Sequence, residues 1–488
     1  MTEPGSPRAE EQDGQGRHAT FEYLGIASLF VAAFAVRLWG MPHMHGWDED
    51  VYLQNAELIC CGKTNFNEID SRPPLLSLIY AGVFLLWHSD YAAWIVTALL
   101  NALGPVFLYL GGRAFVGRVS AGIAAVLLAF LPFLVDADRS LLSDGPALTM
   151  IVLSFWLLVR ALEKETDIRF AVAGFAMALS VLMRFGSLSS VGMLSLLVLA
   201  AHRKRRSIAA CGVGFAAGIL PYLSWSRVYY GGYLATLQNG WVNFGGPAES
   251  PLYFVMHLPL VLSWVALAGM LLCAIRIAYE FRQRSGHVPI ESQGGGSKVR
   301  LPGIGYLWLW ALAVLCFFSY LDHKEVRYVI PATAPLLLLA GAGLSVLLKG
   351  QRPAMRAAGW ALLTGALLFV LWPIHRWLNS GFLDHRVSEE MVVSDFLNRS
   401  VPSSTVLYIN QNYPDFAYYT DFQVEPLPHD GPELYSGLTV LPRAGILVAY
   451  RKDDDGTPIG PDLAWVDANP HYHRLKEFPK LILYTYQP

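Results

Sequence analysis

Residues 21–40, FEYLGIASLFVAAFAVRLWG, decide the fold, and five residues separate them from the stretch at residues 46–52, GWDEDVY. The first stretch is nearly all apolar and matches the roughly twenty residues that a helix needs to cross a bilayer. The carboxylates of Asp48, Glu49 and Asp50 therefore stand where a membrane span delivers the chain to the bilayer surface. Acids in that position need water, a cation or a substrate as a partner.

The composition extends this pattern to most of the chain. Hydrophobic residues make up 54% and charged residues 15% of the sequence, and the apolar residues are gathered into blocks. This is typical of a polytopic membrane protein whose spans are helices, because backbone groups in hydrocarbon must bond within their own segment. The net charge of -2 says nothing about nucleic acid. Basic runs occur only beside the apolar blocks, so the predicted environment is the lipid bilayer and no nucleic-acid partner is expected.

About eleven transmembrane helices are predicted from the apolar blocks. After residues 21–40 they lie near residues 91–111, 119–135, 145–161, 170–183, 188–201, 208–225, 252–275, 303–321, 328–348 and 357–377. The run at residues 73–87 is too short to cross, and it opens with Pro73-Pro74, which suits a helix start. We interpret it as an interfacial or partly inserted helix. All basic loops then fall on the side of the N-terminal tail, as the positive-inside rule requires, with the N-terminus in the cytoplasm and the C-terminus outside.

Three domains follow from this reading. Residues 1–20 are polar and are predicted to be a disordered cytoplasmic tail, and residues 21–377 form the transmembrane domain. Residues 378–488 are predicted to form a small extracytoplasmic α/β domain, because short strand-like runs alternate there with Pro, Asp and Gly. Those runs are residues 406–409, 437–441, 446–450 and 481–486.

The five cysteines do not form a disulfide framework. Cys211, Cys273 and Cys316 lie in apolar runs, and Cys60 and Cys61 are neighbours that could bridge each other only with strain. We interpret all five as packing residues.

Three loops on the predicted outer side carry the residues that could do chemistry. The first contains residues 48–52 and ends in Ser71-Arg72-Pro73-Pro74-Leu75, the second is residues 136–146, DADRSLLSDGP, and the third is residues 322–328, DHKEVRY. Each of these charged residues, taken alone, is explained equally well as a solvated residue at the end of a loop and as part of a functional site. Acids from two loops and a Lys/Arg pair from a third, all on one membrane face, favour a site for an amphiphile with an anionic head and a tail in the lipid.

These motifs resemble those of the GT-C superfamily. The Asp-Glu-x-x-Tyr of the first loop, the Arg-Pro-Pro-Leu before the short helix and the Arg-x-x-Leu-x-Asp-x-Pro of the second loop are similar to the protein mannosyltransferase and lipid A aminoarabinose transferase group. The third loop, His-Lys-Glu-x-Arg-Tyr, is similar to a motif of the GPI-anchor and dolichol-pathway mannosyltransferases. The chain departs from the pattern at Arg72, where Lys is commoner, and in combining motifs of two branches.

The resemblance implies an inverting glycosyltransferase that moves a sugar from a polyprenyl phosphate to an acceptor (protein, lipid or glycan) on the outer side of a bacterial plasma membrane. It implies that Asp48 is the base that takes the acceptor proton, since a prenyl phosphate leaves well and needs cations more than an acid. Glu49 then orients acceptor or base, and Asp144 fixes the sugar or acceptor. The donor phosphate is assigned to Lys324 and Arg327, and secondarily to Arg72 and Arg139. His323, Glu325 and Tyr52 are assigned to substrate binding.

Several alternatives stay open. A divalent metal ion is one, because His43, His45 and Asp48 offer ligand atoms, although neutral His near a bilayer surface is more often just amphipathic. Asp50 is expected to be a solvated neighbour of Asp48. The competing functions are a transporter or flippase of lipid-linked sugars, which would place ionisable groups near the bilayer midplane, and a non-catalytic scaffold for the C-terminal domain.

Overall fold

The computed structural model describes residues 7–39, 41–42, 45–201, 204–242, 249–284, 303–348, 352–372, 383–384, 387–429, 431–452 and 458–488. The contacts divide the chain into two compact units. The helical unit comprises residues 1–41 and 94–382, and the sheet unit comprises residues 42–93 and 383–488.

Helices, most of them long and apolar, build the helical unit. They are α1 (Pro7–Leu38), α4 (Asp90–Val116), α5 (Arg118–Phe130), α6 (Pro132–Asp138), α7 (Asp144–Lys164), α8 (Asp167–Met183), α9 (Leu188–Ala201), α10 (Arg205–Tyr230), α11 (Ala235–Val242), α12 (Tyr253–Arg284), α13 (Gly305–Ser319), α14 (Ile330–Leu344) and α15 (Pro353–Leu371). Short 3₁₀ turns cover Phe185–Ser187, Val326–Val329 and Ser345–Leu348. The α4 helix begins in the last residues of the sheet unit.

The polytopic helical fold is confirmed. Within the described residues, 7 helices are long and apolar enough to span a membrane, and the bent pair α5–α6 makes up to 8. The pair bends by 57°, because Leu131 precedes Pro132 and is extended, as a residue before proline tends to be. The other three predicted spans are present as shorter helices, α8 with 17 residues, α9 with 14 and α13 with 15. The end of the last predicted span, residues 373–377, lies outside the described residues.

The first helix starts earlier than the sequence predicts. It begins at Pro7, so residues 7–20 are helical in the structure where a disordered tail is expected. Proline is well suited to the first turn of a helix.

Helix α14 forms the centre of the helical unit. Each of its residues is buried, and it packs against α12 and α5. A Cβ added to Gly343 would stand 1.8 Å from the Gly269 carbonyl oxygen, and one added to Gly341 would stand 2.1 Å from that of Ser120. Glycine at these two positions lets the helix backbones approach closely, as small residues do in membrane helix packing.

The sheet unit contains a five-stranded sheet with the order β4-β3-β5-β7-β6. Its strands are β3 (Val406–Ile409), β4 (Gln423–Pro426), β5 (Gly445–Tyr450), β6 (Tyr472–Glu477) and β7 (Leu481–Tyr486). Strand β3 runs parallel to β4 and β5, whereas β7 is antiparallel to β5 and β6. Two-residue strands, β1 (Met41–Pro42) and β2 (Leu383–Asp384), lie outside this sheet.

Within the described residues, six helices complete the sheet unit. They are α2 (Trp47–Cys61), α3 (Pro74–Phe84), α16 (Glu389–Ser400), α17 (Tyr413–Tyr419), α18 (Gly431–Thr439) and α19 (Leu463–Ala468). Helix α2 packs against α3 and α17, and the Asn65 side-chain amide donates to the carbonyls of Ala417 at 2.7 Å and Thr420 at 3.0 Å. The sequence groups residues 42–93 with the membrane spans, whereas these contacts group them with the C-terminal sheet. Helix α3 has 11 residues, too few to cross a bilayer, as predicted.

Three of the four predicted strands are confirmed, and the one at residues 437–441 is wrong. Helix α18 occupies most of that stretch, because Leu434 and Leu438, one helical turn apart, are both buried in the core. The packing interpretation is also wrong for Cys60 and Cys61, which form a disulfide at the end of α2. Of the other three, Cys211 and Cys273 are buried and Cys316 is exposed.

Candidate active site

The predicted site residues are divided between the two units. Asp48, Glu49, Tyr52 and Arg72 belong to the sheet unit. The helical unit holds Arg139, Asp144, His323, Lys324, Glu325 and Arg327.

Asp48 lies in the first turn of α2 and is paired with Arg72. The Arg72 Nη2 is 2.9 Å from Asp48 Oδ1, and the Arg72 Nε donates to Glu68 Oε2 at 2.9 Å. About a fifth of each of the two paired side chains is exposed, 22% for Asp48 and 20% for Arg72. Burial lowers the pKa of the Arg72 guanidinium, but the two carboxylates outweigh it and raise that pKa. The Arg-Pro-Pro-Leu stretch therefore supplies a fixed cation that holds the Asp48 carboxylate in place while leaving it accessible.

Glu49 and Tyr52 occupy structural positions on the same helix. The Gly46 amide donates to Glu49 Oε2 at 2.6 Å, so this carboxylate satisfies a free amide at the start of α2, as in a capping box. Tyr52 is only 4% exposed. Glu49 thus helps to start the helix, its predicted role in orienting a substrate stays a prediction, and Tyr52 lies in the interior of the fold.

Asp50 is buried, and its predicted solvation is wrong. It is 0% exposed, and its Oδ1 is 3.1 Å from Nδ1 of His45. His45 Nε2 is 3.8 Å from Asp90 Oδ2, and the Tyr419 hydroxyl is 3.2 Å from Nδ1. Burial alone would lower the pKa of His45, but the hydrogen bond and charge of Asp50 and the charge of Asp90 raise it to about 9. A buried charged histidine thus anchors the helix that carries Asp48.

The second loop contains a closed ion pair next to its predicted site residues. Arg37, at the end of α1, donates through Nε to Asp138 Oδ2 at 2.8 Å and through Nη1 to the carbonyls of Ala33 at 3.1 Å and Ala129 at 3.0 Å. The Arg37 side chain is 0% exposed. Arg139 follows Asp138 in the sequence, caps the C-terminal end of α6 and is half-buried. The Arg37 pair thus fixes the backbone from which Arg139 projects.

Asp144 begins α7 and is paired with an arginine that the sequence reading missed. The Arg184 Nη1 is 3.1 Å from Asp144 Oδ2, and only 1% of the Asp144 side chain is exposed. The same guanidinium lies 5.2 Å from the ring centroid of Tyr328, within cation–π range. Arg184 therefore links the second loop to the third. Arg184 lies in the tight turn between the predicted spans at residues 170–183 and 188–201, and this position was the signal in the sequence that could have identified it.

Glu325 organises the third loop. Its carboxylate accepts from the Tyr328 hydroxyl at 2.9 Å and is paired with Arg327 at 2.6 Å, and His323 Nε2 lies 3.3 Å from it. Part of each ionic side chain is exposed: 41% of His323, 34% of Glu325 and 22% of Arg327. The loop thus brings together three of the predicted residues, with Arg327 and His323 accessible from solvent.

Lys324 is arranged differently from the prediction. It is 5% exposed, and its ammonium donates to the backbone carbonyls of Glu249 at 3.1 Å, Asp322 at 3.5 Å and Leu321. An ammonium has three N–H donors, and carbonyls of its own and a neighbouring loop take them up. The geometry therefore gives Lys324 the role of closing the third loop, in place of the predicted contact with the donor phosphate.

Of the three predicted metal ligands, His45 and Asp48 lie within the described residues. Within the described part of the chain, the structure contains no group of three or more His, Cys, Asp or Glu side chains placed to hold a metal ion. His43 lies outside the described residues, and His45 is engaged with Asp50.

Known proteins are similar to this chain in sequence over one segment and in fold over most of its length. The sequence model of the dolichyl-phosphate-mannose-protein mannosyltransferase family matches residues 71–225. Of the curated protein sequences compared with the chain, none matches it. The structure of ArnT from Cupriavidus metallidurans bound to undecaprenyl phosphate is similar with a TM-score of 0.65 and 14% identity, over 96% of this chain and 98% of that chain.

Two further solved structures are similar over most of this chain. AglB, the oligosaccharyltransferase of Archaeoglobus fulgidus, in complex with an inhibitory peptide and a dolichol-phosphate, has a TM-score of 0.56 and 12% identity over 88% of this chain and 69% of that chain. The arabinofuranosyltransferase AftD from Mycobacteria has a TM-score of 0.53 and 15% identity over 95% of this chain and 41% of that chain. The fold that the GT-C resemblance implies is therefore confirmed: this integral membrane protein shares the fold of these solved structures, and residues 71–225 match a mannosyltransferase family.

Proposed function

We propose that the protein is an inverting glycosyltransferase that moves a sugar from a polyprenyl-phosphate carrier to an acceptor on the outer face of the membrane. The observation that carries this proposal is the Asp48 carboxylate, partly exposed in the first turn of α2 and held by Arg72 at 2.9 Å. A fixed, accessible carboxylate is what a general base needs.

The reaction is a single displacement at the anomeric carbon of the donor. The acceptor oxygen forms a bond to that carbon while the bond from the carbon to the phosphate oxygen breaks, which inverts the configuration. Asp48 takes the proton from the acceptor hydroxyl, and the polyprenyl phosphate leaves with the bonding electron pair. Because the leaving group is a stabilised anion, cations contribute more to its departure than a proton donor would.

Arg327 is the first candidate for the cation that stabilises the departing phosphate. It is paired with Glu325 at 2.6 Å and partly exposed, so an incoming phosphate can replace that carboxylate and be bound bidentately. His323 stands beside it as a second donor. Arg139 and Arg72 remain secondary candidates. Asp144 acts through its pair with Arg184, which orders the second and third loops.

Two of the similar structures support a lipid-linked donor. ArnT is described with undecaprenyl phosphate, and AglB with a dolichol-phosphate. The mannosyltransferase match covers the first-loop Arg-Pro-Pro-Leu stretch and the second loop. We extend this to a bacterial plasma membrane with the active site facing outside, on the strength of the basic loops gathered on one side of the spans.

The test is turnover by purified protein in lipid nanodiscs. Polyprenyl phosphates that carry radiolabelled sugars are supplied together with protein, lipid and glycan acceptors, and the released polyprenyl phosphate and the labelled product are quantified. The proposal expects the sugar–phosphate bond to break and the product to have the anomeric configuration opposite to that of the donor. Retained configuration would refute the single displacement. Movement of intact donor across proteoliposomes, without bond cleavage, would establish the transporter or flippase instead.

The divalent metal ion stays a prediction that the same assay can test. Treatment with EDTA, followed by readdition of Mg²⁺ or Mn²⁺, should leave turnover unchanged if the cations of the third loop suffice. A loss that the metal restores would show that an ion is required.

A further inference from the structure

The sheet unit carries a surface depression that the proposed chemistry does not use. Its volume is about 510 Å³, and it is lined by Tyr435, Ser436, Thr439, Asp462 and Trp465. The first three come from α18, and the other two come from the start of α19 and the residue before it.

Packing of α18 on the sheet determines which side chains line the depression. Leu434 and Leu438, at i and i+4, are fully or almost fully buried, at 0% and 1% exposure. The helix therefore turns Tyr435 and Thr439, also at i and i+4, toward a different side, because residues four apart share a face. Neither aromatic residue of the depression is fully buried, since Tyr435 and Trp465 are each half-buried.

The two aromatic rings are held rigidly. They meet edge to face, with 5.4 Å between centroids and 79° between planes. The backbone amide of Asp462 donates to the Tyr435 hydroxyl at 2.7 Å. Asp462 Oδ1 in turn accepts from the Ala464 amide at 2.9 Å, so the carboxylate caps the short helix that carries Trp465. Rings fixed in this way lose little conformational entropy when a ligand is bound.

The lining presents a defined set of polar groups beside the rings. The Tyr435 hydroxyl accepts one hydrogen bond and keeps its own O–H to donate, and the carboxylate of Asp462 is an acceptor of several bonds. The Thr439 hydroxyl donates to the Ser436 carbonyl at 2.9 Å, which leaves its lone pairs to accept. The hydroxyl of Ser436 adds another donor and acceptor.

This chemistry excludes two classes of ligand and fits a third. Among the described residues, no Lys, Arg or His lines the depression, and Asp462 repels anions, so phosphates and acidic sugars are disfavoured. A lipid tail would leave the hydroxyls and the carboxylate unpaired, which costs free energy. A pyranose ring combines an apolar C–H face, which can lie on an aromatic ring, with hydroxyls at its edge that pair with acceptors and donors.

We propose that this depression is a binding site for a neutral saccharide. Its use in capturing the glycan part of an acceptor rests on the function proposed above, whereas the binding itself does not. The Trp465 and Tyr435 rings bind the C–H face of one sugar residue, and Asp462, Ser436 and Thr439 bind its hydroxyl groups.

The test measures binding to the full chain in nanodiscs by saturation-transfer NMR and by titration. The probes are glucose, mannose, galactose, arabinose, maltose and, as an anionic match to glucose, glucuronate. We expect at least one neutral sugar to bind. Trp465→Ala should weaken that binding roughly tenfold, because the stacking surface is lost, while Trp465→Phe retains most of it. The control is Leu475→Ala. Leu475 belongs to the same unit and is 41% exposed, but it does not line the depression.

A second variant tests the role of the carboxylate. Asn is as good an N-cap as Asp, so Asp462→Asn keeps the helix start and removes only the charge. It should raise the affinity for glucuronate relative to glucose roughly threefold or more, because a like-charge repulsion is removed. If no neutral sugar binds, or if binding is the same in wild type, Trp465→Ala and Leu475→Ala, the saccharide site is refuted.

The saccharide site and the proposed transfer reaction can be refuted independently of each other. Asp48→Asn should bind the sugar probe as wild type does, because Asp48 does not line the depression. Trp465-dependent sugar binding by a protein that never cleaves a lipid-linked donor would support the site and refute the transferase. Full transfer together with sugar binding that does not depend on Trp465 would refute the saccharide site and leave the proposed transferase function intact.

Discussion

Two Asp–Arg pairs occupy opposite environments in this protein. In the helical unit, Arg37 Nε donates to Asp138 Oδ2 at 2.8 Å, and in the sheet unit Arg72 Nη2 lies 2.9 Å from Asp48 Oδ1. The Arg37 and Asp138 side chains are 0% and 9% exposed, whereas those of Arg72 and Asp48 are 20% and 22% exposed. Both pairs are within ion-pair distance, so the main difference between them is their access to water.

The partners of the two arginines show what the difference means. Arg37 also donates to three backbone carbonyls, those of Ala33, Ala129 and Leu128, so its donors are consumed inside the fold. Arg72 bridges two carboxylates, those of Asp48 and Glu68, both partly open to water. A closed pair stabilises the fold and cannot exchange its partners, but an open pair can give one partner up to a substrate. The candidate base is thus recognised by its access to solvent.

The largest expected effect comes from breaking the closed pair. Arg37→Met leaves Asp138 as a buried charge without its partner, so the free energy of unfolding should fall by about 3–5 kcal/mol. The double variant Arg37→Met/Asp138→Leu should regain most of this, because no buried charge remains. Reversible unfolding of detergent-solubilised protein measures both. Equal losses in the single and double variants would show that the guanidinium contributes packing alone.

The next effect concerns the buried histidine of the sheet unit. The pKa of His45 is raised to about 9, above its unfolded value, so its contribution to stability is complete below about pH 6.5 and is lost as pH rises through about 9. The contribution should amount to about 3 kcal/mol.

The measurement compares the unfolding free energies of wild type and His45→Gln at about pH 6 and about pH 10. The difference between the two proteins should shrink at the higher pH, because His45 has then lost its proton beside Asp50 and Asp90. His88→Gln is the matched control, since 55% of the His88 side chain is exposed. A difference between wild type and His45→Gln that does not change with pH would contradict the assignment.

A smaller effect on the free energy of unfolding is expected from a side chain that crowds the closed pair, Arg37 and Asp138. A Cβ at Gly145 would stand 2.2 Å from Asp138 Oδ1 and 2.7 Å from Asn101 Nδ2. Gly145→Ala should therefore lower the free energy of unfolding by about 1–3 kcal/mol through overpacking. Gly122→Ala is the control: nothing lies within 4 Å of its added Cβ, and a helical Gly→Ala change there should be neutral or stabilising. Similar behaviour of the two variants would contradict the close packing at Gly145.

The smallest effect on stability should come from breaking the open pair. Arg72→Met should change the free energy of unfolding by no more than about 1 kcal/mol, as is usual for pairs that water can reach. The same unfolding experiment as for Arg37→Met gives a direct comparison of the two arginines. A loss as large as that of Arg37→Met would mean that the Asp48 pair is structural.

Much of the fold could be predicted because its cause is local. Apolar blocks long enough to cross a bilayer become helices wherever they occur, and each predicted span coincides with a helix. The bend at Pro132 and the short helix at residues 74–84 also follow from local chemistry. The grouping of residues 42–93 with the C-terminal sheet could not be predicted, because contacts such as that of Asn65 with Ala417 join residues far apart in the sequence.

The candidate site was predicted by residue type better than by environment. The sequence predicts Asp48, Asp144, Glu325 and Arg327 as site residues, but it does not reveal which acids are buried. Asp48 and Asp50 are two residues apart and end up partly open and fully buried, because α2 turns them to different sides. Arg184 was missed because its partners, Asp144 and Tyr328, come from other segments. Lys324 has the charge that a phosphate site needs, yet its ammonium bonds to carbonyls that no sequence motif records.

The most direct test of the central claim, that Asp48 is the base of glycosyl transfer, compares Asp48→Asn with wild type on a donor that wild type uses. The control is Asp421→Asn, because 88% of the Asp421 side chain is exposed. We expect Asp48→Asn to lower the rate of transfer by roughly 10²–10⁴-fold, with the free energy of unfolding changed by no more than about 1 kcal/mol, and Asp421→Asn to transfer as wild type does. Full transfer by a folded Asp48→Asn protein would contradict the claim.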